Sequence, residues 1–338
     1  MGAVTCACSC SVGNRAAGPS SRIYLIAHRI ADRFGPAIAG AFVTALSRLD
    51  AGIDQTELAS AVASGNVDAI VAAVAPSRLG AIFLGGGSLA SVLLNTSSAM
   101  GRAGADVLTE VTGIQASFNA TDPNVVMFAR NHAAQLVVDV ADDVREAIRI
   151  VTATGAAEGL TVQQQARVIR NVVGLPPNWA DAPSALGREL RDGRFTSSRR
   201  LSAIDKAKIR KRLREGTIDE DFIQQMQTNY SRSLVNRRAQ NIARTESSFS
   251  ANHGMRTGWR QARDQGVLPE DVRRVVVVTP DERLRSSHAA VPGMNRDGVG
   301  LDEPFRTPWG KLEGPPWAPD PYNCRCGEGL IFPDGGVL

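Results

Sequence analysis

Apolar residues recur at three- and four-residue spacing along most of this chain, and that period commits it to α-helices until the pattern stops at Gly266. Ile23, Ile26, Ile30 and Phe34 are followed, past Gly35-Pro36, by Ile38, Phe42, Leu46 and Leu49, and Pro36 is expected to kink or divide the helix. A second stretch, Glu57 to Val74, is broken near Ser64-Gly65-Asn66 and closed by Pro76. After Thr121-Asp122-Pro123, where the aspartate caps and the proline suits the first helical turn, a long amphipathic helix runs towards Ala153 and is expected to end at Gly155. It carries Val126, Ala129, Leu136, Val140, Val144, Ile148 and Val151. Thr161 reads as the N-cap of a helix over 162–173 that Gly174-Leu175-Pro176-Pro177 stops, and a short helix follows Pro183.

Beyond Gly266 the character changes. The four-valine run within Val272 to Val278 reads as a buried strand, and the Pro-, Gly- and Trp-rich remainder packs through a few aromatic anchors, Phe305, Trp309 and Trp317. The expected fold is therefore mainly α in its N-terminal and middle regions, with a small α+β C-terminal domain. With 338 residues, 43% of them hydrophobic, the chain is long enough for two or three units and too apolar for general disorder.

Formal charge divides the chain unevenly. Residues 1–187 sum to −2, 188–263 to +10 and 264–338 to −4. Between Arg188 and Glu215 stand 11 basic and 4 acidic residues, ending in a helix with basic groups on nearly every side. Some of this charge is absorbed by pairs such as Lys211 with Glu215. The excess favours phosphate contacts without base specificity, made by Arg199, Arg200, Lys206, Lys208, Arg210, Lys211, Arg212 and Arg214, because no helix-turn-helix, zinc finger or RNA-stacking motif is present. The competing readings are an idle solvated face and contact with an acidic protein.

Five cysteines are too few for a disulfide scaffold and suit a reducing cytoplasm. Three of them, Cys6, Cys8 and Cys10, lie in a Gly/Ser/Ala-rich arm over 1–20 that lacks the features of a secretory signal. Leu79 to Gly101 runs 23 residues without a charge, but its glycines, serines and Asn95 favour a buried or partner-facing helical hairpin over a membrane span. HExxH, GxSxG and Walker signatures are absent, so the commonest protease, esterase and NTPase chemistries lack their local motifs.

Two constellations remain. Asp281-Glu282-Arg283-Leu284-Arg285-Ser286-Ser287-His288 follows the valine strand, and Pro321-Tyr322-Asn323-Cys324-Arg325-Cys326 comes 36 residues after it. His288, Cys324 and Cys326 have the composition of a zinc site, with Asp281 as a candidate fourth ligand, although the Cys-x-Cys spacing is tighter than in most zinc ribbons. Otherwise the aspartate and arginines cross-link the loops and no cofactor is needed, or His288 acts as an acid/base.

The order of these pieces resembles the phage minor head (head morphogenesis) proteins typified by protein F of phage Mu. The resemblance rests on Ile242-Ala243-Arg244-Thr245-Glu246, then Asn252, Gly254 and Trp259, then Asp281, Arg283, Arg285, His288 and Gly293. Leu301-Asp302-Glu303-Pro304-Phe305, Gly314-Pro315-Pro316 and Asn323-Cys324-Arg325-Cys326 complete it. It implies a domain over about 220–330 inside an organisation of flexible arm (1–20), portal- or capsid-docking helical region (21–187), basic helical segment (188–265) and compact α+β part (266–338). It further implies a non-enzymatic virion component, made in a bacterial host's cytoplasm and held in the capsid interior near the portal vertex. Its partners would be portal, capsid or scaffold proteins and double-stranded DNA.

In that setting Arg244 and Glu246 read as salt-bridge partners rather than catalysts. Twelve residues follow Cys326, so no fused enzyme domain is expected. The rival readings are a metal-assisted nuclease or hydrolase using His288, Asp281, Cys324 and Cys326, and a membrane-active ejection protein using 79–101.

Overall fold

The computed structural model describes residues 22–84, 89–279, 281–317 and 320–338; residues 1–21, which include the cysteine-bearing arm, and residues 85–88, 280 and 318–319 lie outside them. The fold is mainly α-helical, with small antiparallel sheets confined to the C-terminal part. The described residues form two compact units, each drawn from separate stretches: 32–96 with 121–247, and 22–31 with 97–120 and 248–338.

The 32–96/121–247 unit is all helix. It holds most of α1 (Arg22–Ala51), then α2 (Gln55–Ser64), α3 (Val67–Val74), α4 (Leu79–Leu84) and the start of α5 (Leu89–Thr112). The chain returns as α6 (Pro123–Ala157), α7 (Val162–Val172), α8 (Ala182–Arg191), α9 (Ala203–Glu215) and the first part of α10 (Glu220–Asp264). Helix α6 is its spine: Val125, Ala129, Ala133, Val140, Val144, Ala147 and Ile148 are each at most 1% exposed. Most of them pack in one apolar cluster with Phe42, Leu58, Ile70, Ile169, Leu186 and Met226.

Local chemistry sets the helix ends. Asp54, Asn66 and Asp122 accept from the backbone amides of α2, α3 and α6. Thr161 and Gln164 form a reciprocal capping box at α7.

Pro36 does not divide its helix, and the stop expected at Gly155 falls later. Helix α1 runs unbroken through Pro36. Pro36 is exposed, so water can take the carbonyl that the ring leaves unbonded, while Ile38, Phe42 and Leu46 remain buried. Helix α6 does not stop at Gly155: a Cβ there would lie 3.3 Å from Leu160 Cδ1, so this glycine allows a close approach. Gly159, with φ +67, makes the stop, and Leu160 N donates to Gly155 O at 3.0 Å.

The second unit builds the candidate site. Strand β1 (Arg273–Val277) is central in a three-stranded antiparallel sheet, between β2 (Val299–Gly300) and β5 (Gly327–Ile331), with Val275 opposite Gly329. Helix α11 (Ser286–Met294) and the hairpin of β3 (Phe305–Thr307) and β4 (Gly310–Leu312) complete the α+β part. Phe305 and Trp317 are fully buried and meet edge to face at 6.0 Å, whereas Trp309 is half-buried.

Within this unit the chain from Ser97 onward in α5 crosses α10 very closely. Ser97 Oγ donates to Ser250 O at 2.8 Å, and a Cβ on Gly254 would fall 2.0 Å from Ser97 O. No helix among the described residues is long and apolar enough to cross a membrane.

Candidate functional site

Strand β1 delivers the chain to Asp281, and α11 carries His288 inward; the strand-entry segment 320–326 returns beside them. Asp281 accepts from Arg283 N at 3.0 Å and is gripped by both Arg325 guanidinium ends, at 2.6 and 2.7 Å. That grip holds its carboxyl below the usual aspartate range. Arg285 donates to Tyr322 O at 2.6 Å and pairs with Asp320 at 3.0 Å. Arg325 O accepts from Tyr24 of α1 at 2.9 Å. Asn323 takes a left-handed backbone, φ 54, a turn that asparagine tolerates better than most residues.

Beneath this polar layer, His288, Cys324 and Cys326 are 2%, 4% and 3% exposed. His288 Nδ1 lies 3.5 Å from the sulfur of Cys324 and 3.5 Å from that of Cys326. These three residues could hold a metal ion, their donor atoms lying within 4.8 Å of one another. The Cys326 amide points at Cys324 Sγ at 3.4 Å. A hydrogen bond from the Cys326 thiol, aided by the His288 ring, brings Cys324 down to about 5 despite its burial. Cys326, hydrogen-bonded to that neighbour and buried, is pushed up. Asp281 is not a fourth member, because Arg325 has claimed both its oxygens.

The adjacent charge cluster went unforeseen. Glu328 of β5 is fully buried and bridges Arg256 (2.6 Å) and Arg274 (2.8 Å). Arg274 also donates to the carbonyls of Glu313 and Glu303, and its guanidinium stands 4.9 Å from the Phe305 ring centre. Burial pulls the Arg274 guanidinium below its ordinary pKa, with Glu328 opposing that pull.

Arg244 and Glu246 belong to the other unit and do not pair with each other. Two positions apart on a helix, they face different directions. Glu246 is buried and pairs with His132 at 2.5 Å, whereas Arg244 is exposed and makes no ion pair among the described residues.

The basic segment is similarly divided. Arg199 is held bidentately by Glu189, at 2.6 and 2.9 Å, and Lys206 donates to Ser197 O. Arg212 pairs with Asp219 and covers Phe222, and Lys211 lies 4.0 Å from Glu215. Arg200, Lys208, Arg210 and Arg214 are exposed and make no ion pair among the described residues. A cleft of about 700 Å3 in the same unit has its arginines met by acids, Arg170 by Asp50, Arg188 by Glu158 and Arg191 by Glu220.

Comparison with protein-family models, with curated proteins and with solved structures finds no match to this chain.

Proposed function

We propose that this chain is a structural, minor-head-type protein of a tailed phage or prophage, seated in the capsid interior near the portal and meeting packaged DNA through α9. The observation that carries the reading is how the residues behind the Mu F-like resemblance are used. Asp281, Arg285 and Arg325 spend their hydrogen bonds tying the 281–288 loop to the 320–326 segment. The cleft that Arg285 and Arg325 border with His288 measures only about 20 Å3, too small to admit an organic substrate. A group of side chains that closes its own loops suits a part of a shell better than a hydrolase.

The DNA contact rests on the exposed Arg200, Lys208, Arg210 and Arg214, with portal and capsid contacts assigned to the helical region. Phosphate neutralisation by such groups is independent of sequence and weakens as salt rises.

The test is recovery of the chain in DNA-filled heads after prophage induction in the strain that encodes it, together with binding of unrelated duplexes at rising salt. Presence in filled heads and equal, salt-sensitive affinity for all duplexes support the reading. Multiple turnover of a nucleic acid or ester substrate by the purified chain, lost in His288→Ala, would replace it with the hydrolase.

A further inference from the structure

We infer that His288, Cys324 and Cys326 form a zinc site that fastens α11 to the start of β5. The spacing of the donors carries the argument. Zinc holds imidazole nitrogen at about 2.0–2.1 Å and thiolate sulfur at about 2.3 Å in a tetrahedron, lengths that set nitrogen and sulfur about 3.5 Å apart. Both sulfurs stand at 3.5 Å from His288 Nδ1. One ring nitrogen carries a single in-plane proton or lone pair and can serve only one of the two thiols well, so hydrogen bonding alone does not set the equal spacing.

The other ring nitrogen supplies an independent observation. His288 is 2% exposed, yet its Nε2 has no hydrogen-bond partner. The nearest carboxylate oxygen, Asp320 Oδ2, is 3.8 Å away. A histidine bound to metal through Nδ1 must carry its proton on Nε2, and metal-bound histidines regularly aim that proton at a carboxylate. Asp320, itself fixed by Arg285 at 3.0 Å, is the carboxylate placed to take up that outer role once the site is filled.

Charge and space agree. Two thiolates neutralise a divalent ion, so the filled site would bring no net charge into a buried position. The Cys326 amide, 3.4 Å from Cys324 Sγ, is placed to steady a thiolate. The adjoining cleft of about 20 Å3, bordered by Thr279 and Asn323, has room for about one water molecule as fourth ligand. The ion would act as a staple in a part of the chain whose strands are only two to five residues long.

The experiment uses the full chain, expressed with zinc in the medium and purified without chelator. Elemental analysis is expected to find one zinc per chain, lost in Cys324→Ser/Cys326→Ser. Replacement by cobalt(II) is expected to give the intense visible bands of a tetrahedral, thiolate-bound ion. Asp320→Asn, which keeps all three ligands, is expected to bind zinc about tenfold more weakly. Should the double serine variant fail to fold, the cobalt spectrum of the unaltered chain decides the matter. A zinc-free chain whose two thiols are freely alkylated, a Cys324–Cys326 disulfide in the purified protein, or a cobalt spectrum without thiolate character would each overturn the inference.

Discussion

Glu328 of β5 and Arg274 of β1, diagonal neighbours in the strand register, pair at 2.8 Å, the carboxylate 0% and the guanidinium 1% exposed. Because Arg256 takes the second carboxylate oxygen, removing Glu328 strands the buried Arg274 and leaves Arg256 with only Glu313, at 3.7 Å. Glu328→Ala should cost about 3–5 kcal/mol in urea denaturation, the usual penalty for breaking a buried pair from one side. Arg274→Met with Glu328→Leu should lose less than Glu328→Ala alone, because only Arg256 is then left short of a carboxylate. If the single and double variants melt together, the triad is not what holds the sheet.

Gly254 is where the unit tolerates no side chain, since a Cβ would sit 2.0 Å from the Ser97 carbonyl oxygen, a backbone atom. Gly254→Ala should destabilise by about 3 kcal/mol, with thermal unfolding followed by circular dichroism. An unchanged melting temperature would mean that the two helices are spaced more widely than described.

The Glu189–Arg199 pair predicts a pH dependence. Hydrogen bonding to Arg199 lowers the Glu189 carboxyl from the usual 4.5 to about 2 in the fold. A depressed carboxylate stabilises above its unfolded pKa, and that contribution is lost as pH falls from about 4.5 through about 2. The side chain is 22% exposed, so a solvent-screened contribution of about 1–2 kcal/mol is expected at neutral pH. Glu189→Gln should remove it and flatten acid unfolding in that window. Identical acid profiles for the two proteins would contradict the pairing.

Two classes of basic side chain should separate on DNA. Neutralising Lys208, Arg210 and Arg214 should lower affinity for every duplex alike and reduce the salt slope by about one for each phosphate left unneutralised. Arg199→Ala should instead act on stability, because Glu189 already occupies that guanidinium. Fluorescence anisotropy across a salt series reads both. A triple variant that binds with unchanged slope would remove α9 from the interface.

What the sequence disclosed was local. Asp122 and Thr161 announce helix starts because a cap needs only its own first turn. Pro36 and Gly155 misled because each obeys a tertiary condition, solvent at one and a neighbouring chain segment at the other. In the candidate site, the order of Asp281, His288 and Cys324-Arg325-Cys326 was legible, while Asp281 as the partner of Arg325 and Asp320 as the neighbour of His288 were not. Arg274 and Glu328 were invisible for the same reason, since nothing in a run of valines tells how a buried charge is met. Neither could the charge count distinguish Arg199, which is spoken for, from Arg210, which is exposed.

The most direct measurement exchanges the charges of Asp281 and Arg325 and counts DNA-filled heads in a strain lacking the native gene. If these residues serve to hold two loops together, Asp281→Arg and Arg325→Asp should each lower the yield, and the double exchange should restore it. A double exchange as defective as Asp281→Arg alone, in a chain that remains folded, is what a reacting carboxylate would give, and it would contradict the structural account.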